Sequence, residues 1–160
     1  MSINELKAVG EKMRSQGLTG KRFPKVMFKI DDITDDMIVL RHTSDMDDCR
    51  GKVVDGKCKS CGEHTSGVHC FRFEMVLADL QDNDSFLEIM GADGIGSALF
   101  KGRSAGVVSG MSRAEIDDII DKWTEVPIIA SFAVSVDPES DEVKMFPFNM
   151  RRLPMSYMPK

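Results

Sequence analysis

The sequence predicts a mainly β fold, in which about five strands form a small barrel, one or two helices accompany them, and an inserted loop binds a metal ion. Three observations lead to this prediction. Segments with apolar residues at alternate positions recur along the chain, which is the period of a half-buried strand. A helical pattern separates the last two strands from the others. Every cysteine and histidine of the chain lies between His42 and Cys70.

The strands are predicted from alternation and from the turn residues between them. We expect a strand pair in "KVMFKID" and "DMIVLRH", joined by the polar turn "DDITDD". After the cysteine-rich loop, an alternating strand is predicted in "CFRFEMVLADL", and a hairpin partner in "SFLEIMG". A final hairpin is predicted in "PIIASFAVSVD" and "EVKMFPFNMRRLP".

Helical spacing predicts one helix before these strands and another between the two predicted hairpins. The first has apolar residues at Ile3, Leu6, Val9 and Met13 and ends at Gly17. The second begins with a capping box of Ser112 and Glu115, and "ADGIGSALFKG" forms a shorter helix or turn before it. Strands, loop, hairpin, helix and hairpin, in that order, are the layout of an OB-type barrel. We assign 1–22 to an N-terminal helix or arm, 23–150 to the OB-fold domain with its loop at 42–70, and 151–160 to a C-terminal tail.

Composition limits the classes of protein to consider. The 160 residues suit one domain, and no apolar run approaches the roughly 18 residues needed to cross a bilayer. The first residues lack the apolar core of a signal peptide, so we expect an intracellular protein with reduced thiols and no membrane contact. The net charge of −5 argues against a strongly basic nucleic-acid groove.

The cysteine-rich loop has the spacing of a metal site. Cys58 and Cys61 form a CxxC motif, whose two thiolates can chelate one tetrahedral ion, and Cys49 supplies a third thiolate. The fourth ligand is either His42 or Cys70. A redox pair is the alternative, but no βαβ pattern surrounds the motif. The loop therefore predicts one structural Zn²⁺. No pairing of a base with a nucleophile indicates an enzyme.

A longer stretch supports this reading. The run "CRGKVVDGKCKSCGEHTSGVHCFRFEMVLADLQDNDSFLEIMG" resembles the C-terminal DNA-binding domain of the replication protein A large subunit, an OB-fold with an inserted zinc ribbon. The segment "ALFKGRSAGVVSGMSRAEIDDII" is similar to the helical segment of that family. The resemblance implies that Cys49, Cys58 and Cys61 bind zinc, and it favours His42 over Cys70 as the fourth ligand. The sequence ends "RRLPMSYMPK" without the family's C-terminal helix, so we do not expect a heterotrimer of that kind.

The resemblance also implies a function. It predicts binding of single-stranded DNA or RNA with weak to moderate affinity, in DNA replication, repair, recombination or telomere maintenance. It further implies protein partners in a larger complex and a nuclear location in a eukaryote. The alternative is an OB-fold scaffold for protein–protein assembly in a nucleoprotein complex.

Single-strand binding requires aromatic side chains for the bases and cations for the phosphates. Phe86 lies near the position of a base-stacking aromatic residue in the family. Phe71, Phe73 and Phe146 are further candidates, and Phe71 and Phe73 share a strand face, so both must be buried or both exposed. The candidate phosphate contacts are Lys52, Lys57, Lys59, Arg72, Lys101, Arg103, Lys144 and Arg151.

Overall fold

The structure, a computed structural model, describes residues 1–42 and 49–159, so part of the predicted ribbon, residues 43–48, lies outside the described residues. These residues group into two compact units, one of Met1–Ile33, Glu74–Ile89 and Ile120–Lys160, the other of Thr34–Phe73 and Met90–Ile119. The helices are α1 (Ile3–Ser15), α2 (Asp93–Leu99), α3 (Ala105–Ser109), α4 (Arg113–Asp121) and a 3₁₀ turn (Met155–Tyr157). The strands are β1 (Gly20–Ile33), β2 (Ile38–Arg41), β3 (Val53–Val54), β4 (Lys57–Cys58), β5 (Val68–Phe71), β6 (Phe73–Ala78), β7 (Phe86–Gly91), β8 (Ile128–Val136) and β9 (Val143–Arg152).

A curled five-stranded antiparallel sheet is the main feature of the first unit. Its strand order is β7-β6-β1-β8-β9, so the long strand β1 is central and the two predicted hairpins flank it. The sheet is a half-barrel with β7 and β9 at its two edges, and it confirms the predicted mainly β, OB-type fold.

The central strand β1 changes partner along its length. Residues Gly20–Phe28 pair with β8, and Lys29–Ile33 pair with β6. The register shifts between Phe23 and Val26, where Lys25 has a positive φ of 57°. Pro24 lies at this point and has no N–H group. The hydrogen-bond ladder between β1 and β8 can therefore be interrupted at Pro24 without leaving a backbone donor of that residue unpaired. Such bulges bend a strand and increase its twist, which accounts for the curl of the sheet.

Alternating side chains from the sheet form the core of the first unit. Phe28 and Phe132, from the adjacent strands β1 and β8, are fully buried and meet edge to face with ring centroids 5.6 Å apart. Helix α1 covers this core with Ile3, Leu6 and Met13, as the helical spacing predicts. Burial of these apolar side chains is the main force that holds the helix on the sheet.

A buried carboxylate fixes the start of α1. The hydroxyl of Ser2 accepts a hydrogen bond from the Glu5 amide, which is an ordinary N-cap. Asp79, after β6, is 1% exposed and accepts hydrogen bonds from the backbone amides of Asn4 (3.0 Å) and Gln81 (2.8 Å). Burial raises the pKa of Asp79, but the backbone amides that donate to it outweigh that effect and hold its pKa below the usual range. The carboxylate therefore joins the helix to the β6–β7 turn.

The second unit contains the metal-binding loop and the shorter helices. Its strands β2 and β5 form an antiparallel ladder, and β3 and β4 form a small hairpin. The Asp93 carboxylate of α2 accepts a hydrogen bond from the Phe71 amide at 2.8 Å. At the start of α4, the Glu115 amide donates to the Ser112 hydroxyl at 3.2 Å, which confirms the predicted cap.

Two details differ from the sequence prediction. The strands predicted in "KVMFKID" and "DMIVLRH" form as β1 and β2 but do not pair, because β6 and β8 already occupy the two edges of β1. The described residues contain four α-helices instead of one or two: α2 lies where the sequence indicated a helix or a turn, and the five-residue helix α3 is too short to show a period in the sequence. None of the helices in the described part of the chain is long and apolar enough to span a membrane.

Candidate metal centre and nucleic-acid surface

Two turns bring the cysteine ligands together. Asp55 and Gly56, with φ values of 54° and 73°, connect β3 to β4 in a two-residue hairpin turn of the Asp-Gly kind. Cys58 ends β4, and its amide donates to the Glu63 carbonyl at 2.9 Å. Gly62 has a φ of 80° and donates back to the Cys58 carbonyl at 3.0 Å. This tight turn places Cys58 and Cys61 on the same side of the loop.

Backbone hydrogen bonds place the histidine against this turn. His42 directly follows β2, and its amide donates to the Gly51 carbonyl at 2.8 Å. A Cβ atom on Gly51 would lie 2.5 Å from the sulfur of Cys58 and 2.7 Å from the Ser60 side chain. Gly51 is therefore part of the site, because a larger residue would push a ligand out of place. Sequence reasoning did not identify it.

Four potential ligands converge at this point. The ligand atoms of His42, Cys49, Cys58 and Cys61 all lie within 4.8 Å of one another. The sulfurs of Cys49 and Cys58 are 3.7 Å apart, and the Cys61 sulfur is 3.3 Å from Nδ1 of His42. In a zinc tetrahedron, normal bond lengths put two sulfurs about 3.8 Å apart and a sulfur and a nitrogen about 3.6 Å apart. The cluster is therefore compatible with one zinc ion.

The thiols of this cluster differ in acidity. The backbone amide of Cys61 lowers the pKa of Cys58 to about 6, against the opposing effect of burial. The Glu63 amide lowers the pKa of Cys61, but burial and the nearby thiols of Cys58 and Cys49 outweigh it and raise that pKa to about 11. Ionising all three thiols at such short range is unfavourable without a cation. A divalent ion, which binds thiolates, would remove this penalty.

A carboxylate supports the histidine from behind. The His42 ring is buried, and its Nε2 lies 3.5 Å from a carboxylate oxygen of Glu63. Metal-binding histidines commonly direct their second ring nitrogen to a carboxylate, which fixes the tautomer and the ring orientation. Glu63 follows the CxxC motif after one residue, so its role depends on the turn and not on a recognisable spacing.

Cys70, the alternative fourth ligand, lies outside the cluster. It is in β5 opposite Val39, and its sulfur is 3.7 Å from the Val68 carbonyl oxygen. Burial raises the pKa of this thiol, and the nearby Asp93 carboxylate adds to the shift. The geometry therefore favours His42 as the fourth ligand, as the resemblance implies.

The predicted aromatic contacts separate into buried and exposed rings. Phe71 and Phe73 are both buried, at 3% and 2% exposure, so neither offers a face to a base and the expectation that they stack bases is wrong for this structure. Phe71 is stacked on Phe100 at 5.8 Å between centroids, which occupies one face of the ring. Phe86 and Phe146 are each 41% exposed.

The predicted phosphate contacts are all on the surface, but the structure does not gather them into one site. Arg72 is exposed between β5 and β6, and its amide donates to the Met37 carbonyl at 2.8 Å. Two of the exposed cations, Lys144 and Arg151, lie on β9. The others are in the second unit, around the hairpin and the loop after α2: Lys52, Lys57, Lys59, Lys101 and Arg103.

Comparison with known proteins supports the fold. No family model matches the sequence, and no curated protein matches it. A solved structure of a replication protein A heterotrimer bound to single-stranded DNA contains a chain that is similar to this one, with a TM-score of 0.58 and 14% sequence identity. The similarity covers 91% of this chain and 36% of that chain, so the protein spans about a third of its length. At this identity the likeness shows the fold alone, and it agrees with the OB-type sheet described above.

Proposed function

We propose that this chain is a zinc-ribbon OB-fold that binds single-stranded DNA, related to the C-terminal DNA-binding domain of the replication protein A large subunit. One observation carries the proposal. His42, Cys49, Cys58 and Cys61 converge to within 4.8 Å in a chain whose fold is similar to a replication protein A chain. This combination of a soft-ligand cluster and an OB-fold is what the sequence resemblance implies.

The proposed zinc is structural. Four protein ligands complete a tetrahedral site and leave no position for a catalytic water. The short ladder of β3 and β4 contains only two residues from each strand, so it depends on another source of stability. Zinc would supply that stability by cross-linking the end of β2, the turn after β4 and the segment before β3. The chain is accordingly proposed to bind without catalysing a reaction.

The proposed ligand fits the surface chemistry of the chain. Phe86 and Phe146 are exposed rings on different strands and are alternative positions for a stacked base, and exposed basic side chains are available for phosphate. Stacking on aromatic rings combined with phosphate contacts gives binding that depends weakly on sequence and strongly on salt. Action in replication, repair, recombination or telomere maintenance, protein partners in a larger complex, and a nuclear location in a eukaryote stay predictions from the resemblance.

The zinc assignment is tested by metal analysis of protein purified without chelator. We expect one equivalent of zinc in the wild type and in Cys70→Ser, and faster loss of zinc to a competing chelator in His42→Ala. Cys70→Ser is the matched control, because it removes a partly buried ligand-type residue of the same unit. Less than half an equivalent in the wild type, or a greater effect of Cys70→Ser, would contradict the assignment.

The DNA assignment is tested by titration of labelled oligo-dT and oligo-U. With two to four phosphate contacts, affinity should fall by about 7- to 50-fold between about 50 and 200 mM salt. Absence of binding at the lower salt concentration would refute single-strand binding and favour the scaffold alternative. That alternative has its own support in Met155 and Tyr157, which are more than half exposed in the C-terminal tail.

A further inference from the structure

A second aromatic surface lies on the outward face of β1, β8 and β9. The paired residues Arg22, Ala133 and Phe146 form one row across the three strands. Directly paired residues of an antiparallel sheet share a face, so all three point outward, opposite the buried neighbours of Ala133. The next row along β8 and β9 consists of Ser131 and Phe148. We call this area the β1–β8–β9 surface.

The two phenylalanine rings have different surroundings. Phe146 is 41% exposed and its partner across the sheet is only an alanine, so its ring has a free face. Phe148 is half-buried, and the guanidinium carbon of Arg22 lies 5.7 Å from its ring centroid. An arginine guanidinium is itself a plane on which a base can stack.

Cations continue the surface on both sides of these rings. Lys144 pairs with Ser135 in the row before Phe146, and Arg151 pairs with Ile129 beyond Phe148. Both basic side chains are exposed. Lys144 also interacts electrostatically with Asp137 of the β8–β9 turn, so we assign it a smaller part than Arg151 and Arg22.

Charge distinguishes this surface from the one around Phe86. In the described rows of β1, β8 and β9, the outward residues are basic, aromatic, small or aliphatic, and none is acidic. On β7, Glu88 is exposed two residues from Phe86, on the same face, and Glu74 is exposed on the neighbouring strand β6. The ammonium group of Lys7 donates to the Phe86 carbonyl at 3.0 Å, so charges of both signs surround Phe86, whereas the charged residues in the described rows of the β1–β8–β9 surface are all cations.

We propose that a single nucleic-acid strand is held on the β1–β8–β9 surface, with one base stacked on Phe146, another on the Arg22–Phe148 pair, and phosphates at Arg151 and Lys144. The ligand class rests on the proposed function, and the location goes beyond it. Phe146 and Phe148 are two positions apart on one strand, or about 6.8 Å. This is about twice the 3.4 Å rise of stacked nucleotides, so the surface suits a strand whose bases are splayed apart.

The experiment compares exposed phenylalanines on the two surfaces. Affinity for a labelled oligo-dT is measured for the wild type, Phe146→Ala, Phe86→Ala and Arg22→Ala, with thermal unfolding to verify the fold of each. We expect Phe146→Ala to weaken binding by about 5- to 150-fold, the range for loss of one stacking ring, and Phe86→Ala to bind like the wild type. Arg22→Ala should also weaken binding, because it removes the second stacking position, and Arg151→Ala, measured alongside, should reduce the slope of log affinity against log salt by about 0.7.

Three outcomes would overturn the location. The first is a wild type that binds while Phe146→Ala and Arg22→Ala bind equally well. The second is a loss confined to Phe86→Ala. The third is binding of poly-glutamate as tight as that of oligo-dT, which would mean that the surface attracts an acidic protein by charge without stacking. A wild type that binds neither oligo-dT nor oligo-U would instead refute the proposed function itself, and the location with it.

Discussion

The close approach of α2 to a buried ring makes Gly96 the most informative single position for stability. A Cβ atom on Gly96 would lie 2.2 Å from the nearest atom of the Phe71 ring and less than 2.7 Å from two others. The ring has little freedom to retreat, because its own plane is stacked on Phe100. Gly94, in the same helix, has no atom within 4 Å of its added Cβ and is the matched control.

The two alanine substitutions should change stability in opposite directions. Carbon atoms in contact are normally about 3.5–4.0 Å apart, so Gly96→Ala requires a movement of more than 1 Å and should cost about 3 kcal/mol, the upper end for overpacking. Better helix propensity returns about 1 kcal/mol, which leaves a net loss of about 2 kcal/mol. Gly94→Ala has the propensity gain alone, about 0.5–1 kcal/mol.

Thermal and urea unfolding of the purified protein measure this difference. For a chain of this length, about 2 kcal/mol corresponds to a fall in Tm of about 4–8 °C for Gly96→Ala, whereas Gly94→Ala should raise Tm by about 1–4 °C. Both variants gain the same helix propensity, so the difference in their free energies of unfolding measures the clash with Phe71. Equal shifts in the same direction would show that the ring does not pack against α2 as described.

Three further predictions follow from the same reasoning. Gly91→Ala should destabilise by about 1–3 kcal/mol in urea unfolding, since its Cβ would meet the buried Phe73 ring at 2.3 Å, and an unchanged midpoint would contradict this contact. Asp79→Asn should cost about 1–3 kcal/mol at neutral pH. Folding lowers the pKa of Asp79, so the carboxylate stabilises the fold above a pH of about 3.9, and this stabilisation is lost as the pH falls through the folded-state pKa. The free energies of unfolding of the wild type and Asp79→Asn should therefore become equal in acid. A difference that stays constant with pH would refute this role of Asp79. Chelation should remove amide-exchange protection from the β3–β4 hairpin while β8 stays protected, and simultaneous loss would contradict a local role for zinc.

The parts of the fold that sequence reasoning found depend on local patterns. Helix α1 shows its period in Ile3, Leu6 and Met13, and the last two strands show theirs through alternation. The pairing of β2 with β5 was not predictable in this way, because it depends on which edges of β1 are already occupied. Strand pairing is a property of the whole sheet, and period reveals only that a strand exists.

The residues of the candidate site also fall into those that a local sequence pattern identifies and those that only the fold brings into place. CxxC spacing identified Cys58 and Cys61, but Gly51 and Glu63 have no motif and acquire their roles through the turn that places them against Cys58 and His42. The β1–β8–β9 surface was equally hidden. It requires the cross-strand register that puts Arg22, Ala133 and Phe146 in one row, and a shift of one residue would turn all three side chains to the opposite face.

A net charge of −5 is consistent with single-strand binding, because the net charge acts on a strand that is still distant and the local cations act on a strand that is already bound. Lys144 and Arg151 are seven positions apart on β9, or about 23 Å, so they contact different phosphates of the strand, and Arg22 on β1 lies at a level between them. Each phosphate interacts mainly with the cation nearest to it, because charges more than about 10 Å away are screened at 0.1 M salt. The net charge acts on the approach of the strand and slows its association. Once the strand is in contact, the local cations and the exposed ring of Phe146 determine its residence time.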